Sequence, residues 1–324
     1  MFPGRRFSIS TAAIETVELS KQFGDLVALH PISVSIPPGE TFGLLGPNGA
    51  SKSTTISMIC GLLQPSSGDA LIMGHSILRD PLAAKACLGV VPQDIAIYTD
   101  MSARENLAFW GKMYGMHGKE LQARVAAVLE LLGLSDRARE RTGRFSGGMK
   151  RRLNIGIALL HRPKVIVMDE PTVGIDPQSR RAILDSVKML NQSGTTVLYT
   201  THYMEEAEEL CARIAIIDRG AVIALGSNQE LVRTVGQLVR INVTLVAKTA
   251  GGVSFAARLR GIDGVEQVME EDPHITILAQ DSNTVMPLIF EQSASANVRI
   301  ASVSVAEPNL EAVFLHLTGR ALRD

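Results

Sequence analysis

The sequence has 324 residues, 46% of them hydrophobic, which is enough for one large domain and a smaller one beside it. A formal net charge of −1 excludes a broad electrostatic grip on nucleic acid or on an anionic membrane surface. The three cysteines (Cys60, Cys87, Cys211) lie far apart and form no C-x-x-C pair, so they read as buried thiols of a reducing compartment, and no apolar run approaches the roughly 18 residues that span a bilayer.

In chain order, residues 1–13 read as a flexible tail, because Arg5 and Arg6 precede no apolar stretch of the signal-peptide kind. Thr41–Leu45 is a short, continuous apolar strand, followed by a glycine-rich loop and a helix over Thr54–Cys60 that Gly61 should stop as a C′ glycine. From about Asp94 to Leu160 no strand pattern occurs. There Ser102-Ala-Arg-Glu105 is a capping box opening one helix. Lys119–Leu132 is amphipathic, with Leu121, Val125, Val128, Leu129 and Leu132 on one face. Strands resume at Val165–Met168, Thr196–Thr200 and Ile214–Asp218, separated by helices over Ser179–Gln192 and Met204–Ala212. The second of these carries Glu205 and Glu206 in its first turns, where a helix dipole favours acids. Apolar strands alternating with helices predict an α/β core with a largely parallel sheet and an inserted helical subdomain. Beyond about Val235 the expected order is strand (Leu238–Ala247), helix (Gly252–Leu259), strands (Val265–Glu270, His274–Ala279) with Asp272-Pro273 as their turn, helix (Thr284–Gln292), strand (Val298–Val305) and helix (Leu310–Leu317). That β-α-β-β-α-β order predicts a small α+β, ferredoxin-like domain. The expected division is a tail over 1–13, a domain over 14–235 with its helical subdomain at about 94–160, and an accessory domain over 236–324.

Between strand Thr41–Leu45 and its helix, Gly46-Pro47-Asn48-Gly49-Ala50-Ser51-Lys52-Ser53-Thr54 has the context of a phosphate-binding loop. Its backbone N–H groups would form an anion nest and the helix start would add positive potential, with Lys52 reaching the outer phosphates and the Ser53 hydroxyl placed for Mg²⁺. Ser51 stands where the motif wants glycine. A Cβ there can crowd the nucleotide, and a left-handed backbone would add roughly 1–2 kcal/mol of strain. Strand Val165–Met168 delivers Asp169 and Glu170 to the carboxyl edge of the sheet, where ligands of open α/β sheets bind. Asp169 would hold Mg²⁺, and Glu170 would orient and activate the attacking water. Phe145-Ser146-Gly147-Gly148-Met149 precedes an amphipathic helix and offers a second anion site at a helix start. Arg151 and Arg152, just after it, read as a solvated helix face. Tyr98, Met101 and Trp110 fit either a partner-facing surface or simple core packing.

Taken together, these motifs resemble the ABC ATPases over about Ile14 to Ser227. Ser146-Gly147-Gly148 is similar to that family's signature, Gln93 to its Q-loop, Val173-Gly174-Ile175-Asp176 to its D-loop, His202 to its switch histidine, and Phe23 to the aromatic that stacks on adenine. The resemblance implies a P-loop ABC ATPase core. It implies ATP and Mg²⁺ held between the Lys52 loop of one subunit and the Ser146 signature of a second, head-to-tail copy. In that picture Phe23, the 46–54 loop, Ser146–Gly148 and Asp176 contact nucleotide, and Ser53, Gln93 and Asp169 serve the metal. Glu170 acts as base, His202 contacts the γ-phosphate, and Lys52 and Gln93 complete the catalytic set. The Phe145–Arg152 and Thr172–Gln178 segments, and the ending Glu307–Arg320, are similar to motor subunits of the ABC-2 exporter group, of the daunorubicin-resistance and sodium-export types. This implies export of a drug (multidrug export among the possibilities), a lipid-linked sugar or an ion through a separate membrane permease, with the chain cytoplasmic and peripheral on the inner face of the cell membrane and no nucleic-acid partner. Two alternatives stay open: a nucleotide-binding scaffold or regulator whose hydrolysis Ser51 impairs, and a soluble ABC protein acting on ribosomes or DNA.

Overall fold

The computed structural model describes residues 12–234, 238–246, 255–306 and 309–318. The chain divides into two compact units, Met1–Leu225 (with Asp324) and Gly226–Arg323. The first opens with β1 (Ile14–Phe23) and β2 (Leu26–Ile36), then β3 (Thr41–Leu45) and α1 (Lys52–Ile59). Next come β4 (Ser67–Ile72), β5 (His75–Ser76), α2 (Pro81–Ala86) and β6 (Leu88–Val91). Three helices follow, α3 (Ala103–Met113), α4 (Gly118–Leu131) and α5 (Gly147–Leu159). The unit closes with β7 (Val165–Asp169), α6 (Pro177–Gln192), β8 (Thr196–Thr201), α7 (Met204–Leu210), β9 (Arg213–Asp218) and β10 (Ala221–Gly226).

Six strands form one sheet in the order β10-β9-β3-β8-β7-β6, and β9, β3, β8, β7 and β6 run parallel. Every residue of β3, β7 and β8 is buried, which is why these strands read as unbroken apolar runs rather than alternating ones. An antiparallel sheet, order β2-β1-β4-β5, carries the remaining strands. Its inward side chains, among them Ile14, Leu19, Leu29 and Ile72, join Phe42, Leu44, Val165 and Val167 of the parallel sheet in one hydrophobic core. The stretch from Asp94 to Leu160 is helical as expected. Ser102 and Glu105 form the capping box, with Ser102 Oγ accepting from the Glu105 amide and the Glu105 carboxylate accepting from the Ser102 amide. Leu121, Val125, Val128, Leu129 and Leu132 are all buried. Among the described residues no helix is long and apolar enough to cross a membrane.

The second unit begins with α8 (Asn228–Thr234), which packs on the final helix α11 (Leu310–Thr318). Between them lie β11 (Val239–Leu245), α9 (Phe255–Leu259), β12 (Val265–Glu271), β13 (His274–Ala279), α10 (Ser282–Ser295) and β14 (Ile300–Ala306). The sheet is antiparallel with order β12-β13-β11-β14, the arrangement of a ferredoxin-like β-α-β-β-α-β unit. Ile241, Val243, Ile275 and Ile277 of the sheet meet Phe255, Leu259, Val285 and Ile289 of the helices in a core of their own. Part of the expected 252–259 helix, parts of the 307–320 ending and all but the end of the expected tail lie outside the described residues. Ala12 and Ala13 are buried, and the Ala13 amide donates to Ile36 O, so the ordered sheet reaches further toward the start than the tail expectation allowed.

Candidate functional site

Strand β3 lies between β8 and β9, so its carboxyl end opens at the middle of the parallel sheet. The loop that leaves it wraps a cavity of 280 Å³ lined by Pro47, Asn48, Gly49, Ser51, Lys52, Ser53, Thr54, Gln93 and Glu170. Lys52 is only 4% exposed. Its ammonium donates to Gly46 O at 2.7 Å and Pro47 O at 3.1 Å, and stands 3.0 Å from Glu170 Oε1. A buried cation is tolerable only when so satisfied. Ser51 precedes α1 in a left-handed conformation (φ 81°), and its side chain does not cap the helix. The hydroxyl instead donates to Ala28 O at 2.5 Å. The first amides of α1 therefore face the cavity without a side-chain cap, the arrangement that attracts phosphate.

The acids at the end of β7 come to the same place. Thr200 of the neighbouring strand β8 organises them: its hydroxyl donates to Asp169 Oδ1 at 2.7 Å and accepts from the Glu170 amide at 2.9 Å. Glu170 is buried and holds a left-handed backbone (φ 44°), a strained geometry of the kind concentrated at functional sites. Its Oε2 accepts from Gln93 Nε2 at 3.4 Å and lies 3.4 Å from His202 Nδ1, within ion-pair range but without hydrogen-bond alignment. The other three residues expected to be catalytic, Lys52, Gln93 and His202, thus converge on the Glu170 carboxylate.

The bracing of His202 was not legible in the sequence. Glu206, expected to serve the helix dipole, is 1% exposed and accepts from Tyr199 Oη at 2.9 Å, Thr201 Oγ1 at 3.0 Å and Arg180 Nε at 2.6 Å. The Arg180 guanidinium lies 4.3 Å from the Tyr203 ring centre, and that ring contacts the His202 ring at 4.2 Å. Both neighbours of His202 in the chain are therefore fixed by one buried acid. Burial, followed by the Glu206 charge, pushes the Tyr199 phenol well above its ordinary range, so it remains a donor.

Ser146 is the N-cap of α5, its hydroxyl accepting from the Met149 amide at 3.3 Å. Gly148 is required by packing: a Cβ there would overlap the Ser179 side chain of α6. Asp176 caps α6 by accepting from the Ser179 amide at 2.9 Å, and hydrogen bonds from Ser179 hold its carboxyl below the usual range. The signature and D-loop segments thus meet at Ser179. None of Ser146, Gly147, Gly148, Asp176 or Phe23 lines the cavity around Lys52. Phe23 ends β1 at 49% exposed, with Lys21 Nζ 4.9 Å from its ring centre.

Arg151 and Arg152 are not a solvated face. Arg151 is 4% exposed and donates to Pro92 O at 2.9 Å, while Arg152 donates to Leu132 O at 2.8 Å. Asn154, one turn on, accepts from the Ala96 amide. Helix α5 therefore grips the chain on both sides of Gln93, and the arginines turn inward onto the carbonyls of two loops. Tyr98, Phe109 and Trp110 form an aromatic cluster with ring centres 5.0–6.4 Å apart and Tyr98 47% exposed.

The donors expected for a magnesium ion, Ser53, Gln93 and Asp169, offer a hydroxyl, an amide and a carboxylate, the hard oxygen set that Mg²⁺ accepts. Ser53 and Gln93 share the cavity wall with Glu170, and the Thr200 bond orients Asp169, the residue before Glu170 in the chain. The residues fit the ion.

Comparison with known proteins shows the family. The ABC transporter family model matches residues 29–173. The linearmycin resistance ATP-binding protein LnrL of Bacillus subtilis is 46% identical over 96% of this chain and 100% of its own length. The daunorubicin resistance ATP-binding protein DrrA3 of Streptomyces coeruleorubidus is 34% identical over 96% of this chain and 97% of its own. Among solved structures, an ATP-binding cassette captured as a dimer in a post-hydrolysis state with ADP and Pi superimposes with a TM-score of 0.60 at 26% identity, covering 66% of this chain and 98% of that one.

Proposed function

We propose, from the premise that this chain belongs to the ABC transporter family as an ATP-hydrolysing subunit of the ABC-2 exporter group, that it drives export through a separate membrane permease by closing and opening a head-to-tail dimer around ATP. The observation that carries this reading is the split of the phosphate-binding parts. Lys52, Gln93 and Glu170 surround one cavity, and the Ser146 helix start lies outside it. A triphosphate seated on the α1 amides leaves its γ-phosphate without the second helix start unless another copy supplies it.

In this reading Lys52 transfers its ammonium from Glu170 to the outer phosphates. The released Glu170 carboxylate accepts the proton of the attacking water, and His202, braced through Tyr203 and Glu206, meets the γ-phosphate. Ser53, Gln93 and Asp169 would hold Mg²⁺, which would supply charge neutralisation to the phosphates. Phe23 stacks on the base. Because α5 grips the chain around Gln93 through Arg151 and Asn154, loss of the γ-phosphate is felt by the helical subdomain, the part offered to the permease. The similarity to linearmycin and daunorubicin resistance proteins supports a drug-type export substrate. The chain would then sit on the inner face of the cell membrane through its permease.

The test is size-exclusion chromatography of the Glu170→Gln variant, which should bind ATP without turning it over. A shift from monomer to dimer on adding Mg-ATP, absent with ADP, is expected. A variant that stays monomeric while ATP is bound would remove the dimer from the mechanism.

A further inference from the structure

The Ser51 hydroxyl neither caps α1 nor contacts Glu170; it donates to the carbonyl of Ala28 in β2. That carbonyl is available for a reason visible in the strand register. Lys21 pairs with Leu29 and Gln22 with Val27, so Ala28 is the extra residue of a β-bulge, outside the regular ladder. The turn after β9 completes the junction. The Gly220 amide reaches Ala50 O at 3.3 Å, its carbonyl accepts from the His30 amide at 2.8 Å, and any side chain at Gly220 would overlap Ala28 O. The same bulge belongs to the hairpin whose tip pairs Phe23 with Leu26.

We propose that Ser51 is a positioning residue for nucleotide. Its hydroxyl ties the phosphate loop to the Ala28 bulge, so that the phosphate cradle and the Phe23 end of the hairpin are held in a fixed relation before ATP arrives. This rests on the nucleotide-binding reading above and deepens it. Glycine would make the left-handed turn without strain but could not make the tie. Serine accepts the strain, and the hydrogen bond to Ala28 offsets it. The site is thereby preorganised for a ligand that carries both a base and phosphates.

Two variants separate strain from tie. Ser51→Ala keeps the left-handed Cβ and loses the hydroxyl; Ser51→Gly loses both. With the tie gone, KM for ATP should rise about fivefold, the worth of one hydrogen bond. The kcat should stay within about twofold, because uniform binding rather than the transition state is affected. Inhibition by Mg-tripolyphosphate, which carries phosphates but no base, should weaken much less than ATP binding in both variants. Three results would each overturn the tie: an unchanged KM in Ser51→Ala, a lower kcat at constant KM, or equal weakening of ATP and tripolyphosphate. Thermal melts accompany the assays, and if Ser51→Ala does not fold, Ser51→Gly carries the comparison of the two ligands. A wild type that binds no nucleotide overturns the reading of the site as well. A wild type that turns over ATP beside an indifferent Ser51→Ala overturns the tie alone.

Discussion

Helices α1 and α5 both start at a serine in a glycine-containing loop, and they use that serine in opposite ways. Ser51 is left-handed, leaves its helix uncapped and sends its hydroxyl to Ala28 on another strand. Ser146 has an extended backbone and folds its hydroxyl back on its own helix, accepting from the Met149 amide. The first start is an open anion nest with a buried lysine at its mouth. The second has one of its amides, that of Met149, taken by its own cap, and keeps the Gly147 and Gly148 amides and the Ser146 hydroxyl proton to offer outward. The difference teaches that a glycine-rich helix start is not one kind of site. The cap decides whether a side-chain donor stands beside the bare amides that face the ligand.

The largest effect should come from breaking the first start. Lys52→Ala removes the cation that holds Glu170 and should lower ATP turnover by on the order of 10² to 10³, read as phosphate release at saturating ATP. Breaking the second start should cost less. Ser146→Ala loses a cap, about 1 kcal/mol of stability in a denaturant melt. It should also lower turnover about tenfold, since a hydroxyl bond to a charged phosphate is the stronger kind. Arg151→Met tests the link from the second start to Gln93. Leaving Pro92 O without its donor should cost about 1–3 kcal/mol by the same melt, with Arg151→Lys recovering part of it. The smallest effect contrasts the far ends of the two helices. Burial holds the Cys60 thiol, at the end of α1, up to about 12, so that end does not titrate under ordinary conditions. Beyond α5, burial pushes His161 below its ordinary range. Its Nε2 faces Leu88 O, and Nδ1 is buried without a partner for a second proton. A depressed histidine binds fewer protons folded than unfolded, so its contribution is present above the ordinary histidine pKa and is lost as pH falls below it. The melting temperature should therefore drop from about pH 7 to about pH 5, and His161→Gln should flatten that slope.

The legible parts of the fold were those governed by local rules. β3, β7 and β8 are buried on both faces, so their apolar runs were unambiguous, and the Ser102–Glu105 cap announced itself by spacing. The antiparallel sheet did not. In β1 the alternation is broken by register shifts after Thr16, Leu19 and Lys21, so no period of two survives to be read. In the site, the residues that touch one cavity or one carboxylate followed from motifs. The residues that hold them (Thr200, Glu206, Arg180) did not, because their roles depend on neighbours distant in the chain. Arg151 shows the same limit: a charge on a helix face carries no sign of whether loop carbonyls will cover it.

The junction of Ala28, Ser51 and Gly220 has a consequence for synthesis. Its three members come from the start, the early part and the very end of the ATPase unit, and β3 itself is flanked by β8 and β9, both made more than a hundred residues later. A ribosome that has released the Lys52 segment has therefore released a peptide with no walls around it. Affinity for nucleotide should therefore appear late, once β8 and β9 have closed on β3, and a chain cut short before Thr196 would carry the Lys52 loop, Gln93 and Glu170 without the strands that hold them together.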